Sequence, residues 1–330
     1  MPVVSYPVLC CILEHIEADC RLILSARCPK VSKMEKAIPL RVHDIMFKEN
    51  IVEIGHTTYK ITSKKPKSDA SEKYDKTPKQ SLTLQLYNSI SEFTAEKTFS
   101  RNYRVEVATR KVVEYLLGGR NDIYVRRLIV SRNGYKNIQY LFGISNMKVS
   151  ELRNYEINLP NFHPLIEGPL KELKFHVSHP TDFENPIART AEKIVILSYG
   201  YNEPDIWLET YQNLPNKEVM IVPINHDLTD TDILELIEYW RGTRKTVGSS
   251  FSLRKENAHL MEMFLENIKE RFQGTYVKLR RTGTIVVTET NAVSIKIDSE
   301  SSIVIYRVWY DTVVIKVMAV GSSTETSKTV

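Results

Sequence analysis

Apolar residues in the first forty positions recur at helical intervals, and further along they alternate. Val8, Leu9, Ile12, Leu13 and Ile16 fall at i, i+3, i+4 and i+7, with Pro7 near the start, which predicts a first helix. A polar break at Glu17, Ala18 and Asp19 leads to Leu22, Ile23, Leu24 and Ala26, a second helix that Pro29 must end. Ser32 is placed to cap a third, from Lys33 to Ala37, and Pro39 stops it. A unit of this size has too much surface for its volume to seal all its apolar faces. Part of that surface therefore needs a partner, either the rest of the chain or another protein.

From Pro39 the pattern turns to β. Leu40, Val42 and Ile45, then Ile51 to Ile54 and Tyr59 to Ile61, read as strands with Gly55 at a turn. Residues 63–80, rich in Lys, Ser, Asp and Pro, read as a disordered loop. Leu82, Leu84 and Leu86 resume a strand, and Val112, Val113, Leu116 and Leu117 mark a helix over Val105 to Leu117 that Gly118-Gly119 closes. Strand-like clusters then recur about every 21 to 25 residues, at 125–130, 149–152, 170–177, 193–197 and 218–222. That spacing suits irregular leucine-rich-like repeats, although the consensus leucines are missing and an ordinary mixed sheet with short helices fits as well. Thr229 caps a helix over Asp230 to Arg241 with Asp232 in its first turn. Asn257 caps another, carrying Leu260, Met261, Phe264, Leu265, Ile268 and Phe272 up to Gly274.

Short alternating strands after Gly274 complete an α+β chain. The expected organisation is a helical segment at 1–40, a mixed β domain at 41–122, an α/β repeat-like recognition region at 123–274, an antiparallel β meander at 275–320 and a disordered tail at 321–330.

The pattern Tyr6-Pro7 followed by Ile12-Leu13 and Ile16, with Leu22-Ile23-Leu24-Ser25 behind it, resembles an F-box. Tyr6-Pro7-Val8-Leu9, Ser25-Ala26-Arg27-Cys28-Pro29 and Glu35-Lys36-Ala37-Ile38-Pro39-Leu40-Arg41 resemble more closely the opening of the nematode F-box C proteins. Further matching pieces are Leu116-Leu117-Gly118-Gly119-Arg120, Ala191-Glu192-Lys193, Asn213-Leu214-Pro215-Asn216-Lys217 and Trp240 with Val247-Gly248. The third helix is shorter than in a standard F-box and lacks its aromatic and arginine ending. The resemblance implies an adaptor of an SCF-type cullin ubiquitin ligase. Pro7, Leu9, Ile12, Leu13, Ile16, Leu22 and Leu24 would dock a Skp-type adaptor, and the body would hold a substrate protein. Two other classes stay open: a protein-interaction module with no ligase link, and a basic nucleic-acid-binding protein.

Composition narrows the chemistry. Hydrophobic content of 42% and charged content of 26% are those of an ordinary globular chain, and no apolar run reaches the ~20 residues of a membrane helix. The apolar N-terminus lacks a basic leader and is interrupted by Glu14, His15 and Glu17, so an intracellular location is expected. All four cysteines (Cys10, Cys11, Cys20, Cys28) lie in the head without metal-site spacing, and buried thiols are the expectation. The 12 glycines form neither a G-x-G-x-x-G nor a P-loop, and Val247-Gly248-Ser249-Ser250-Phe251 lacks the second glycine of a nucleophile elbow. Asp227, Asp230 and Asp232 suit a helix N-terminus better than a cation. His176 and His179 would point to opposite faces of a strand. No enzyme, cofactor or metal is expected. Residues 101–136 carry nine basic side chains against three acidic, an excess of six above a whole-chain charge of +5. Arg101, Arg104, Arg110, Lys111, Arg126 and Arg127 would form a patch for an acidic partner if they share a face.

Overall fold

The computed structural model describes residues 6–64, 81–99, 104–134, 138–141, 147–155, 159, 162, 165–166, 168–198, 204–223, 228–254, 260–282, 287–308, 312–322 and 324–325. The chain divides into two compact units, Met1–Leu170 and Lys171–Val330. The cut falls inside the stretch 123–274 that the repeat spacing groups together.

The first unit opens with α1 (Tyr6–His15), α2 (Ala18–Arg27) and α3 (Pro29–Ala37). Pro29 both ends α2 and starts α3, where its missing N–H costs nothing and its fixed φ is already helical. The expected cap at Ser32 is thus corrected: Cys28 holds the N-cap position and Ser32 lies inside the helix. There follow β1 (Leu40–Lys48), β2 (Ile51–Ile54), β3 (Thr57–Lys64), β4 (Ser81–Asn88), β5 (Thr94–Phe99), α4 (Val105–Leu117), β6 (Ile123–Val130) and β7 (Met147–Asn154). In space the strands run β5-β4-β3-β2-β1-β6-β7; β1, β6 and β7 are parallel and β1 to β5 form an antiparallel meander. Gly55, between β2 and β3, takes a φ of 57°, which a side chain resists. Of the loop expected at 63–80, residues 65–80 lie outside the described residues, and Ser63 and Lys64 belong to β3.

Three parallel strands change phase together. In β1 the buried positions are Leu40 and Val42, then Ile45 and Phe47; β6 buries Ile123 and Val125, then Leu128 and Val130. The register holds throughout, with Val42 opposite Val125 and Asp44 opposite Arg127, and Arg127 opposite Glu151 on β7. One residue's worth of extra backbone therefore sits at the same level in each strand, so the apolar side chains keep facing the core. The charges at that level pair: Arg127 Nε lies 2.9 Å from Asp44 Oδ1 and 3.7 Å from Glu151 Oε2.

In the second unit β8 (Glu172–Val177), β9 (Lys193–Ser198), β10 (Glu218–Pro223) and β11 (Ser250–Arg254) are parallel and adjacent in chain order. The helices α5 (Pro186–Thr190), α6 (Pro204–Asn213) and α7 (Asp230–Gly242) fall between them. One strand and one short helix per step is what produces the apolar spacing in the sequence. Beyond α8 (Leu260–Phe272), the strands β12 (Thr275–Thr282), β13 (Val287–Lys296), β14 (Ser301–Val308) and β15 (Thr312–Ala319) form the antiparallel meander, which joins β11 through β15. Thr229 caps α7 in a reciprocal box with Asp232. The expected cap Asn257 lies outside the described residues. A two-residue strand, β16 (Thr324–Glu325), pairs with β12 and corrects the expectation of a wholly disordered tail after Gly321. The core gathers Phe175, Phe183, Trp207, Tyr211 and Phe251, with Phe183 meeting the rings of Phe175 and Trp207 edge-on at 5.8 and 6.4 Å.

Candidate functional site

The head is held from behind by buried polar groups. Glu35 of α3, fully buried, accepts from Arg21 Nε at 2.9 Å and from Arg120 Nη1 at 2.7 Å and Nη2 at 2.5 Å. The second guanidinium contact is the two-pronged kind that fixes orientation as well as energy. The surplus positive charge is spread over backbone carbonyls. Arg21 donates to Leu13, Ile38 and Pro39, and Arg120 donates to Leu116 and Glu35. Three head helices and α4 thus meet at one carboxylate. A second buried acid, Asp19, accepts at Oδ2 from the backbone N–H of His56 and the side chains of Thr57 and Asn88, and at Oδ1 from the Cys20 N–H. Among the described residues Glu17, Asp19 and Cys20 form the one group with metal-ligand atoms close enough to share an ion. The bonds already made by both Asp19 oxygens give that group a structural role.

Against this anchored rear, the apolar residues expected to dock a partner divide. Leu13 and Leu22 are each 1% exposed and belong to the core. Leu9 and Ile16 are half-buried, while Pro7, Ile12 and Leu24 are exposed. Tyr6 and Val8 extend the open stripe. Val8 and Ile12 follow one another at i+4, so α1 shows solvent an apolar face that ends at the half-buried Ile16 just beyond it. The expectation of buried thiols is corrected: Cys11 on α1 and Cys20 on α2 are exposed, and Cys10 on α1 and Cys28 at the α2–α3 junction are half-buried. Partial burial, with the carboxylates of Asp19 and Glu17, pushes the Cys20 thiol pKa up, away from the reactive thiolate.

The basic residues of 104–127 do not gather on one face. Arg104 precedes α4, and Arg110 pairs with Glu114 one turn on. On β6, Arg126 lies against Glu151 and His43, and Arg127 against Asp44 and Glu151. Arg120 is in the buried cluster, and Arg101 lies outside the described residues. Lys111 is exposed and turns toward a groove that the sequence did not signal.

That groove, about 580 Å³, runs between the face of β3-β4-β5 and the helices α2 and α4. Its floor is built from cross-strand rows: Tyr59, Leu86 and Ala95; Ile61, Leu84 and Lys97; Leu82 and Phe99. Its walls are Ile23, Ala26 and Arg27 of α2 and Ala108, Lys111, Val112 and Tyr115 of α4. Helix α4 therefore has two apolar sides, Val113, Leu116 and Leu117 in the core and Val112 with Tyr115 toward the groove. The sequence pattern missed β5 because Phe99 is its one large apolar residue, and Ala95 and Lys97 do not read as a buried face.

A family profile described as a domain of unknown function (DUF3557) matches residues 104–257, which is 154 of the 330 residues and runs from the start of α4 past β11. No curated protein matches the chain. No described helix is long and apolar enough to cross a membrane.

Proposed function

We propose that the chain is the substrate-recognition adaptor of an SCF-type cullin ubiquitin ligase, with the exposed face of α1 and α2 docking a Skp-type adaptor. The observation that carries this reading is the division of the head. Leu13, Leu22 and the Glu35 cluster fix the helices to the body, while Val8, Ile12 and Leu24 stay 51%, 45% and 45% exposed. A rigid apolar stripe offered to solvent pays little ordering entropy on docking and concentrates affinity in a few side chains. The resemblance to the nematode F-box C proteins names the partner; transfer of ubiquitin itself would belong to the assembled complex. The test is co-expression of the full chain with a recombinant Skp-type adaptor, followed by size-exclusion chromatography. Wild type should co-elute, and Ile12→Asp with Leu24→Asp should weaken binding at least tenfold while keeping the melting temperature. No complex with wild type, or an unaffected double variant, would remove the reading.

The integration of the head into the body supports a second reading, a protein-interaction module with no ligase link. Asp19 ties α2 to the β2–β3 turn and to β4, and Glu35 ties α3 to Arg120. In that case the adaptor is ignored and the same fold still recognises a partner. Among the described residues the arginines of β6 are paired with carboxylates, which weighs against a nucleic-acid role that rests on them.

A further inference from the structure

We propose that the groove beside β5 is a docking site for an extended segment of a partner protein, added as a new strand along the outer edge of β5, whose groove-facing residues, every second one, include both apolar and acidic side chains. The inference stands whether or not the head docks an adaptor. Three observations carry it. First, β5 ends the strand order of its unit and each of its side chains is exposed, so its outer backbone is open to pairing among the described residues. The N–H of Asn88 donates to the carbonyl of Phe93 at 2.9 Å, in the same register as the β4–β5 ladder. Alternation then turns the amides of Ala95, Lys97 and Phe99 toward β4 and those of Thr94, Glu96 and Thr98 outward.

Second, a strand added there would send every other side chain to the groove face, next to the row of Ala95, Lys97 and Phe99. The floor beyond it is half-open: Leu84, Leu86 and Phe93 are incompletely buried and Phe99 is 37% exposed. Third, the lining carries Arg27, Lys97 and Lys111 and no carboxylate. Arg27 stacks over Phe93 at 4.5 Å and Lys97 over Phe99 at 5.4 Å, so these cations sit at the apolar rim with their stems along it. This arrangement favours acidic side chains two residues from the apolar ones, on the same groove-facing side of the added strand.

The charges also decide against nearer occupants. A second copy pairing through its own β5 would bring Lys97 and Arg27 of each chain toward one groove side, like against like. The chain's own residues 65–80 carry five lysines against three acidic residues, the wrong sign for this rim.

The experiment uses the full chain and fluorescent synthetic nonapeptides in which valine and glutamate take turns at every second position, with threonine between them, so that both face the groove. Binding is measured by anisotropy beside a lysine-for-glutamate peptide, the acidic peptide N-methylated on alternate amides, and palmitate as competitor. The acidic peptide should bind at least tenfold more tightly than either altered peptide. Lys97→Glu with Lys111→Glu, both exposed positions, should reverse the preference toward the lysine peptide while the melting curve stays in place. Any of four results would overturn the proposal: no saturable binding of the acidic peptide, indifference to N-methylation, palmitate competing while the peptides do not discriminate, or self-association by sedimentation that Glu96→Pro abolishes.

Discussion

Glu35 is the residue on which the first unit most depends. It is fully buried and receives three charged hydrogen bonds from two arginines that are themselves 3% and 4% exposed. Replacing it with methionine leaves two guanidiniums facing each other without a counter-charge. Breaking a buried pair in this way costs about 3 to 5 kcal/mol, a large share of a typical stability of ~5 to 15 kcal/mol. For a unit of this length, that lowers its melting temperature by roughly 6 to 20 °C. Arg120→Met should cost a similar amount, because Glu35 keeps only Arg21. The double replacement removes the Glu35–Arg120 pair and leaves Arg21 with its backbone carbonyls alone. It should cost about 1 to 3 kcal/mol less than the two single changes together. The assay must look at the right unit. All three tryptophans (Trp207, Trp240, Trp309) lie beyond residue 170, so their fluorescence follows the second unit and serves as a control. Amide exchange in β1 and β6, read with urea titration, follows the first. Single changes that cost under ~1 kcal/mol, or two costs that simply add, would refute the argument that this carboxylate holds the head to the body.

Contrasting neighbours test the division of α1. Leu13→Ala should cost about 2 to 5 kcal/mol by urea unfolding, whereas Ile12→Ala should stay within about 0.5 kcal/mol. Asp19→Ala strips the partner from the buried Thr57 and Asn88 and should destabilise by at least ~1 to 3 kcal/mol, with exchange quickening first at His56 and Thr57. In the second unit, burial first and then its bond to Glu266 push the Tyr276 phenol up to about 12. A raised acid is more protonated folded than unfolded. Its contribution is therefore whole below an unfolded pKa of ~10 and fades as pH climbs toward 12. Tyrosinate absorbance should lose one late-titrating phenol in Tyr276→Phe while the buried Tyr59, which burial also pushes up, stays late, and an unchanged late phase in Tyr276→Phe would refute the assignment.

Much of the fold was legible. Helix α4 occupies the span its apolar spacing predicts, α7 begins at the cap and first-turn carboxylate written as Thr229 and Asp232, and the clusters after Ile123 are parallel strands. Such features are local, because the period of side chains along a helix or strand depends on backbone geometry alone. The exposed half of the head was also foreshadowed, since so short a segment has more apolar surface than it can cover.

What the sequence did not determine depends on residues far apart in the chain. Nothing local marks Glu35 as the partner of Arg120, 85 positions away, or Asp19 as that of Asn88, 69 away. Charged residues read as solvated surface until folding removes the water around them. Likewise the arginines of β6 are neutralised by strands on either side, and the groove exists only because β5 extends the sheet past the reach of α4. Periodicity fixes which way a side chain points from its own element; only the assembled sheet and helices decide whether protein, a counter-charge or solvent is waiting there.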